Sequence, residues 1–473
     1  MKTPICDFVD KYISSGISRL HVPGHKGISF LGCENRDITE VFGADVLGEA
    51  EGIIAESEAI AAGLFGTYRT FYSTEGSSHV ICAILMLAAQ FFPRHGKGRP
   101  FTVLAARNVH KSFIHACGLL DLDVEWLYPD EDSGLNSVCS CPVTALQLEA
   151  VLSGHCGDLP DAVYITSPDY LGTVSDIRGL ADVCARFGLP LLVDNAHGAY
   201  LHFLKEPVHP IDLGAVMCCD SAHKTLPVLT GGAYLHIAAH PACCAYEAAK
   251  GTVCPDPELP ARLAAGARHA LSVFGSTSPS YLILQSLDLC NHYLSDGYKK
   301  RLDETIRSVN DLKKQLSAQG FSCLPSEPLK LVLSCADAGL VAAHLRQYQV
   351  ECEFTDRDYV VLMFTPENTE KDYARVLAAL ETLFANGSID ARQHTAHGIR
   401  LPRLPRACSI REALLGPAEM ISSRSASGRI CAVPTVSCPP AVPIAVSGER
   451  FDEKALDLLE LYGIREVSVL KEG

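Results

Sequence analysis

The segment Ser221-Ala222-His223-Lys224-Thr225-Leu226-Pro227 sets a primary amine between an imidazole and a hydroxyl. It lies just past the apolar run Ala215–Cys219 and just before Gly231-Gly232. A lysine at the mouth of a buried strand suits Schiff-base chemistry, because rigid backbone holds the amine and neighbouring donors can bind an anionic group. Lys111 is a competing amine, but comparable donors do not surround it.

Other residues supply what such chemistry needs. Gly76-Ser77-Ser78 opens an apolar helical pattern. A tight glycine turn, two hydroxyls and the positive end of a helix dipole form a phosphate cradle. Taken alone, the same three residues read first as a plain serine N-cap. Asp194 ends the run Leu191-Leu192-Val193, with His197 three positions on. A carboxylate there can hold a protonated ring nitrogen, or simply cap the turn after a strand. His110, in Arg107-Asn108-Val109-His110-Lys111-Ser112, offers a flat ring for stacking or serves only structure.

The elements that must position these groups alternate between helix and strand from about residue 56 to 240. Helical patterns cover Glu56–Phe65, His79–Phe92, Ser112–Leu120, Thr144–Leu152 and Ile177–Phe187. Strands are expected at Phe101–Ala105, Val124–Tyr128, Ala162–Thr166, Pro190–Val193, Val216–Cys219 and Gly232–Ile237. Short continuous apolar strands between helices predict an α/β fold, a mostly parallel sheet with helices on both faces. His110, Asp194, His197 and Lys224 fall at strand ends, where ligands bind in such sheets. Long helices follow from Ser280 past Tyr293 and from Lys299 to Gln319. A compact α/β unit is expected over 320–387, with strands Leu329–Leu333 and Val360–Phe364 and a helix Lys371–Phe384. A linker runs through Ala385-Asn386-Gly387-Ser388 to Gly398, before a last unit helical at Glu453–Leu461. The expected domains are 1–296 (the N-terminal segment with the large domain), 297–390 (the small α/β domain) and 391–473 (the C-terminal domain).

Bulk properties narrow the class. The chain has 473 residues, 48% hydrophobic and 20% charged, enough for a large core. A formal charge of -15 argues against nucleic-acid binding and mildly favours cationic substrates. Met1–Asp7 shows no signal-peptide pattern, the run Val80–Ala89 is too short to span a bilayer, and prolines interrupt Cys431–Val446. No membrane association and a cytoplasmic location are expected. The 20 cysteines contain no Cys-x-x-Cys pair, so no metal site is expected, and Cys82, Cys184, Cys218 and Cys219 read as core thiols.

Seven ordered segments carry a resemblance: His21-Val22-Pro23-Gly24-His25-Lys26, Asp37-Ile38-Thr39-Glu40, Arg107–Ser112, Val193-Asp194-Asn195-Ala196-His197-Gly198, Ser221–Thr225, Ser276-Thr277-Ser278-Pro279-Ser280-Tyr281, and Pro439-Pro440-Ala441-Val442-Pro443 with Ser447-Gly448-Glu449. Together they resemble the ornithine/lysine/arginine decarboxylases of the aspartate-aminotransferase fold, in their short bacterial form. The resemblance implies that Lys224 carries pyridoxal 5'-phosphate as a Schiff base, Asp194 pairs with its ring nitrogen and His110 stacks on the ring. It implies that the Gly76-Ser77-Ser78 turn, Ser221 and His223 hold the phosphate. Thr277, with Ser276, would reach the cofactor of a neighbouring subunit, requiring a homodimer or larger homo-oligomer with shared sites. His197 would sit beside the cofactor near the substrate.

Three positions depart from the family pattern. Thr74-Glu75 precedes the Gly-Ser-Ser turn where asparagine is common, Asn195 follows Asp194 in place of an acidic or small residue, and Ala441 stands where glycine is usual. The expected activity is decarboxylation of arginine, lysine or ornithine to a polyamine precursor, with Glu449 or another C-terminal acid as the candidate partner for the substrate's distal cation. An aminotransferase or another lyase on the same fold, or a degenerate cofactor-binding partner subunit, are the alternatives.

Overall fold

The computed structural model describes residues 1–129, 137–245, 256–385, 401–435 and 441–472. Seven strands, β1 (Arg69–Ser73), β2 (Thr102–Ala106), β3 (Asp123–Leu127), β4 (Ala162–Thr166), β5 (Leu191–Asp194), β6 (Met217–Asp220) and β7 (Ala233–Ile237), lie in the order β1-β7-β6-β5-β4-β2-β3. Pairs β5–β6 and β2–β3 are parallel, while β7 runs against both of its neighbours. The fold is therefore α/β with a mostly parallel sheet. Strands β2, β5, β6 and β7 are buried along their whole length, which accounts for their continuous apolar runs.

The chain divides into two compact units. The first comprises Met1–Lys97, Ala145–Ile165 and Asp176–Lys299; the second comprises Gly98–Thr144, Thr166–Ser175 and Lys300–Gly473. In the first, helix Gly76–Phe91 packs on β1, β6 and β7. It is apolar nearly all round because Val80, Ile81, Ala83, Ile84, Leu85, Leu87 and Ala88 are all buried. Helix Ile177–Arg186 starts on Asp176, whose carboxylate accepts the Gly179 N–H at 3.0 Å.

The second unit holds two further sheets, β8 (Ser322–Cys323), β9 (Lys330–Ser334), β10 (Phe354–Thr355) and β11 (Tyr359–Met363) in the order β10-β11-β9-β8, and the antiparallel pair β12 (Ala418–Ser422) and β13 (Glu466–Leu470). One core gathers Val309, Leu312, Leu331, Val360 and Leu380; another gathers Ala426, Ile444, Phe451, Leu459 and Val469.

Most expected elements agree with the structure to within one residue at strands and three at helices. Helices Pro4–Ser14, Leu259–Phe274 and Ala338–Gln347, and strand β1, were not expected. The expected linker after Ala385, and Pro439-Pro440 of the last motif, lie outside the described residues.

Candidate active site

Lys224 sits in the one-turn helix Ala222–Thr225, four residues after β6 ends. Its Nζ lies 3.0 Å from His197 Nε2, so the two groups share one hydrogen bond. Asp194, the last residue of β5, is buried. Burial pushes its carboxyl pKa above the ordinary value, while the Lys224 charge and the Cys219 and Ala196 hydrogen bonds pull it down. A buried carboxylate in that balance gains from a cationic partner.

The turn before helix Gly76–Phe91 is fixed by two glycines. Gly76 has φ 73° and its N–H donates to Gly231 O at 2.7 Å. Gly231 has φ 102°, and a Cβ there would meet Thr74 O at 2.7 Å, so a side chain would push the turn away. Ser221 Oγ donates to Ser77 Oγ at 2.8 Å, joining the lysine segment to the helix start. Ser78 follows in the first turn, whose N–H groups have no acceptor within the helix. Hydroxyls and helix N–H groups thus converge as an anion site requires.

His223 turns its Nδ1 to Gly232 O at 3.0 Å. A carbonyl only accepts, so Nδ1 carries the proton and the neutral ring presents a bare Nε2. Burial, together with the Lys224 charge, lowers its pKa despite the Gly232 hydrogen bond. His223 can therefore donate to a phosphate only after taking up a second proton.

The Glu75 carboxylate is held on its Oε1 by the Ser276 N–H at 2.6 Å. The departure from asparagine therefore ties the turn to the Ser276-Thr277 loop. Thr277 lines a cavity of about 240 Å³ with Thr74, Glu75 and Ser276.

His110 belongs to the second unit. It caps helix Lys111–Leu120, its Nδ1 accepting the Ser112 N–H at 3.2 Å. Lys111 is the first residue of that helix, and its N–H donates to Ala441 O at 3.0 Å. Glu449 is buried in the same unit: its Oε2 accepts the Val446 N–H at 2.8 Å and lies 3.4 Å from Arg107 Nη2. Arg107 also donates to Pro443 O at 2.8 Å and Ile444 O at 3.0 Å. The Glu449 carboxylate is thus engaged in a buried pair with Arg107, which speaks against the expectation that it receives a substrate cation.

A buried network escaped the sequence reading. Asp220 accepts from Asn195 Nδ2 at 2.6 Å on one oxygen, and its other oxygen lies 3.0 Å from His209 Nε2 and 3.2 Å from His236 Nε2. Burial pushes the Asp220 carboxyl up, yet the two imidazoles hold it well below the ordinary range. Asn195, beside Asp194, is thereby anchored by an acid on the neighbouring strand. Cys218 lies close enough that His209, Cys218 and Asp220 bring ligand-type atoms within 4.8 Å of one another, though hydrogen bonds already occupy the His209 nitrogen and the carboxylate. No local pattern marks this network, since its other members lie 11 to 25 positions from Asp220. The described cysteines are unbridged, and among the described residues no helix is long and apolar enough to cross a membrane.

The chain is 28% identical over 489 aligned positions to an arginine decarboxylase of Bacillus subtilis strain 168, covering 97% of this chain and 93% of the relative. Its fold matches the lysine decarboxylase LdcF of Francisella novicida with a TM-score of 0.75 at 17% identity, covering 99% of this chain and 81% of that one. It matches the constitutive lysine decarboxylase of E. coli at 0.74 and 19% identity, covering 99% and 82%. The family model described as Orn/Lys/Arg decarboxylase, major domain, matches residues 3–335. A lysine at the strand end, a buried aspartate beside it and a serine-lined helix start thus sit inside a match covering most of the chain, which belongs to the Orn/Lys/Arg decarboxylase family and is an amino-acid decarboxylase.

Proposed function

We propose that this decarboxylase uses pyridoxal 5'-phosphate bound through Lys224 and acts on a basic amino acid, with arginine ahead of lysine and ornithine. The 3.0 Å approach of Lys224 Nζ to His197 Nε2, at the strand end that Asp194 closes, carries the reading. The donor set suits the group: an amine for an aldehyde, a buried carboxylate for a ring nitrogen, and Gly76, Ser77, Ser78 and Ser221 for a phosphate. The order of substrates rests on the near-full-length similarity to arginine decarboxylases.

When bound, the cofactor supplies an electron sink for the bond to the departing carboxylate. The chain's own residues do the rest. Asp194 keeps a proton on the ring nitrogen. His197 orients the Lys224 amine and can take or return its proton at Nε2. The serines and a protonated His223 fix the phosphate, and His110 supplies a flat imidazole face for the ring. Thr277 reaches the cofactor of a second subunit, so the working form is at least a homodimer. A cytoplasmic location fits the unbridged cysteines. A boundary near residue 390 is supported by the separate apolar cores on either side of it.

The test is release of labelled CO₂ from carboxyl-labelled arginine, lysine and ornithine by the purified chain loaded with pyridoxal phosphate. Release from arginine above the other two is expected. No CO₂ from any of the three, or formation of a keto acid in its place, overturns the proposal.

A further inference from the structure

Asp220 closes β6 with a fully buried carboxylate, and the groups that hydrogen-bond to it are donors without charge. Asn195 offers an amide N–H at 2.6 Å. His209 Nδ1 accepts the Ile211 N–H at 3.4 Å, so its one proton sits on Nε2, 3.0 Å from Asp220 Oδ2. His236 Nε2 stands 3.2 Å from the same oxygen, with its Nδ1 2.8 Å from the Thr70 hydroxyl. Burial lowers the His236 pKa although the Asp220 charge works against it, so this ring too is neutral at neutral pH. His202, beside His209, turns its Nδ1 to Asp212 at 2.8 Å instead. Three neutral donors thus satisfy Asp220 and leave its negative charge in place. Register sets Asp194 of β5 beside Cys219 of β6, whose thiol donates to Asp194 Oδ1 at 3.4 Å. Side chains alternate along a strand, so Asp194 and Cys219 face one side of the sheet, and Cys218, Asp220 and His236 the other. A second anion therefore stands behind the first, one residue further along the neighbouring strand. Burial above all, and the Asp220 charge with it, push the Asp194 carboxyl up.

We propose that Asp220 is a positioning residue of the site, a fixed second anion behind Asp194 that helps to hold positive charge on the cofactor and Lys224. This rests on the proposed function, in which Lys224 carries pyridoxal phosphate and Asp194 faces its ring nitrogen. A buried anion favours any cation near it, because little water intervenes to screen the pair. The sheet separates Asp220 from the Asp194 face, so it acts by its charge and takes no proton from the ring. The tautomers explain why two histidines attend it. Each neutral ring donates one N–H and so keeps the carboxylate ionised, whereas an imidazolium would cancel the charge. Asn195 adds the third donor. Its place in the turn is held separately by its backbone: its N–H donates to Cys219 O at 2.9 Å, and its carbonyl accepts the Gly198 N–H at 2.8 Å. Charge and amide can therefore be removed one at a time.

Absorbance titration of the Schiff-base band, on the full chain loaded with pyridoxal phosphate, tests the inference. Asp220→Asn removes the charge and keeps the shape. With the Asn195 amide turned over, its oxygen accepts from the introduced amide nitrogen, while both imidazoles still donate to the remaining oxygen. The pH midpoint of the band should fall about one unit below wild type, since an anion favours the protonated Schiff base. Asn195→Ala keeps the charge, and its midpoint should stay within about 0.3 unit of wild type. Circular dichroism identifies folded variants, and Asp220→Gln, which also removes the charge, replaces Asp220→Asn should that not fold. An unchanged midpoint in the folded Asp220 variant overturns the inference. So does an equal fall in Asn195→Ala, which would make the amide contact the cause. Stoichiometric zinc in the purified chain overturns it as well, by making His209, Cys218 and Asp220 metal ligands. The two proposals part in the same samples. A wild type without a Schiff-base band removes the proposed function and this inference with it; a wild-type band with an unmoved Asp220 variant removes this inference alone. A shifted midpoint without CO₂ from any basic amino acid keeps the role of Asp220 and removes the proposed substrates.

Discussion

Lys224 Nζ and His197 Nε2 stand 3.0 Å apart although 27 positions separate them in the chain. The contact exists because β5 and β6 are adjacent and parallel, so the residues just past both strands emerge at the same edge. Asp194 ends β5 at that edge, and Ser221 joins the lysine segment to Ser77. Lys111, the rival amine, instead opens a helix and is tied through its backbone to Ala441.

Cofactor affinity should fall as pH rises. With its Nδ1 proton given to Gly232 O and its pKa lowered by burial, free His223 is neutral at neutral pH. Contact with a phosphate dianion requires a proton on Nε2, so the complex binds more protons than the free chain and its affinity drops as pH climbs. The cleanest measurement is fluorescence titration of pyridoxal phosphate into Lys224→Ala, where Schiff-base formation is absent. Between pH 6.5 and 8.5 the affinity should decline by up to about tenfold per pH unit. His223→Gln in the same background should flatten the slope, since an amide donates at any pH. A wild-type-like slope in His223→Gln counts against the role.

Glu449→Ala should act on the fold and leave substrate recognition alone. Removing one partner of a buried ion pair leaves Arg107 uncompensated and the Val446 N–H without its acceptor, at a cost of about 3–5 kcal/mol. Urea denaturation should show that loss, with KM within about twofold where the variant is still folded. Unchanged stability with a KM raised tenfold would restore Glu449 as the substrate's cation partner.

How far the sequence reaches is visible in particular residues. Lys224, Asp194 and His197 could be found because each follows a short apolar strand that periodicity reveals, and β4 and helix Glu453–Leu461 agree with expectation to the residue. The Asp220 network could not be found, because adjacent strands alone bring Asn195, His209 and His236 onto one carboxylate. Strand β1 escaped because Arg69-Thr70-Phe71-Tyr72-Ser73 lacks a continuous apolar run; its pairing with β7 and the burial of Thr70 and Ser73 define it. Glu449 looks like a surface acid in sequence, and only its pairing with Arg107 shows otherwise. The orientation of Glu75 is likewise set by Ser276, 201 positions away.

Ala441→Gly should stabilise the chain. Ala441 has φ 55°, in the left-handed region where a Cβ crowds the backbone at a cost of about 1–2 kcal/mol, which is why glycine suits this place. The extra freedom of glycine in the unfolded chain and the lost buried methyl offset part of the relief, leaving about 0.5–1 kcal/mol. Thermal unfolding at fixed cofactor concentration should show a higher midpoint. A lower one would mean that the backbone there tolerates alanine without strain.

Borohydride reduction of the cofactor-loaded chain, followed by peptide mass mapping, tests the central claim most directly. The reduced pyridoxyl group should be found on Lys224 alone, and Lys224→Ala should lose both the label and the Schiff-base absorbance band. A label on Lys111, or an absorbance band that survives in Lys224→Ala, would contradict the assignment.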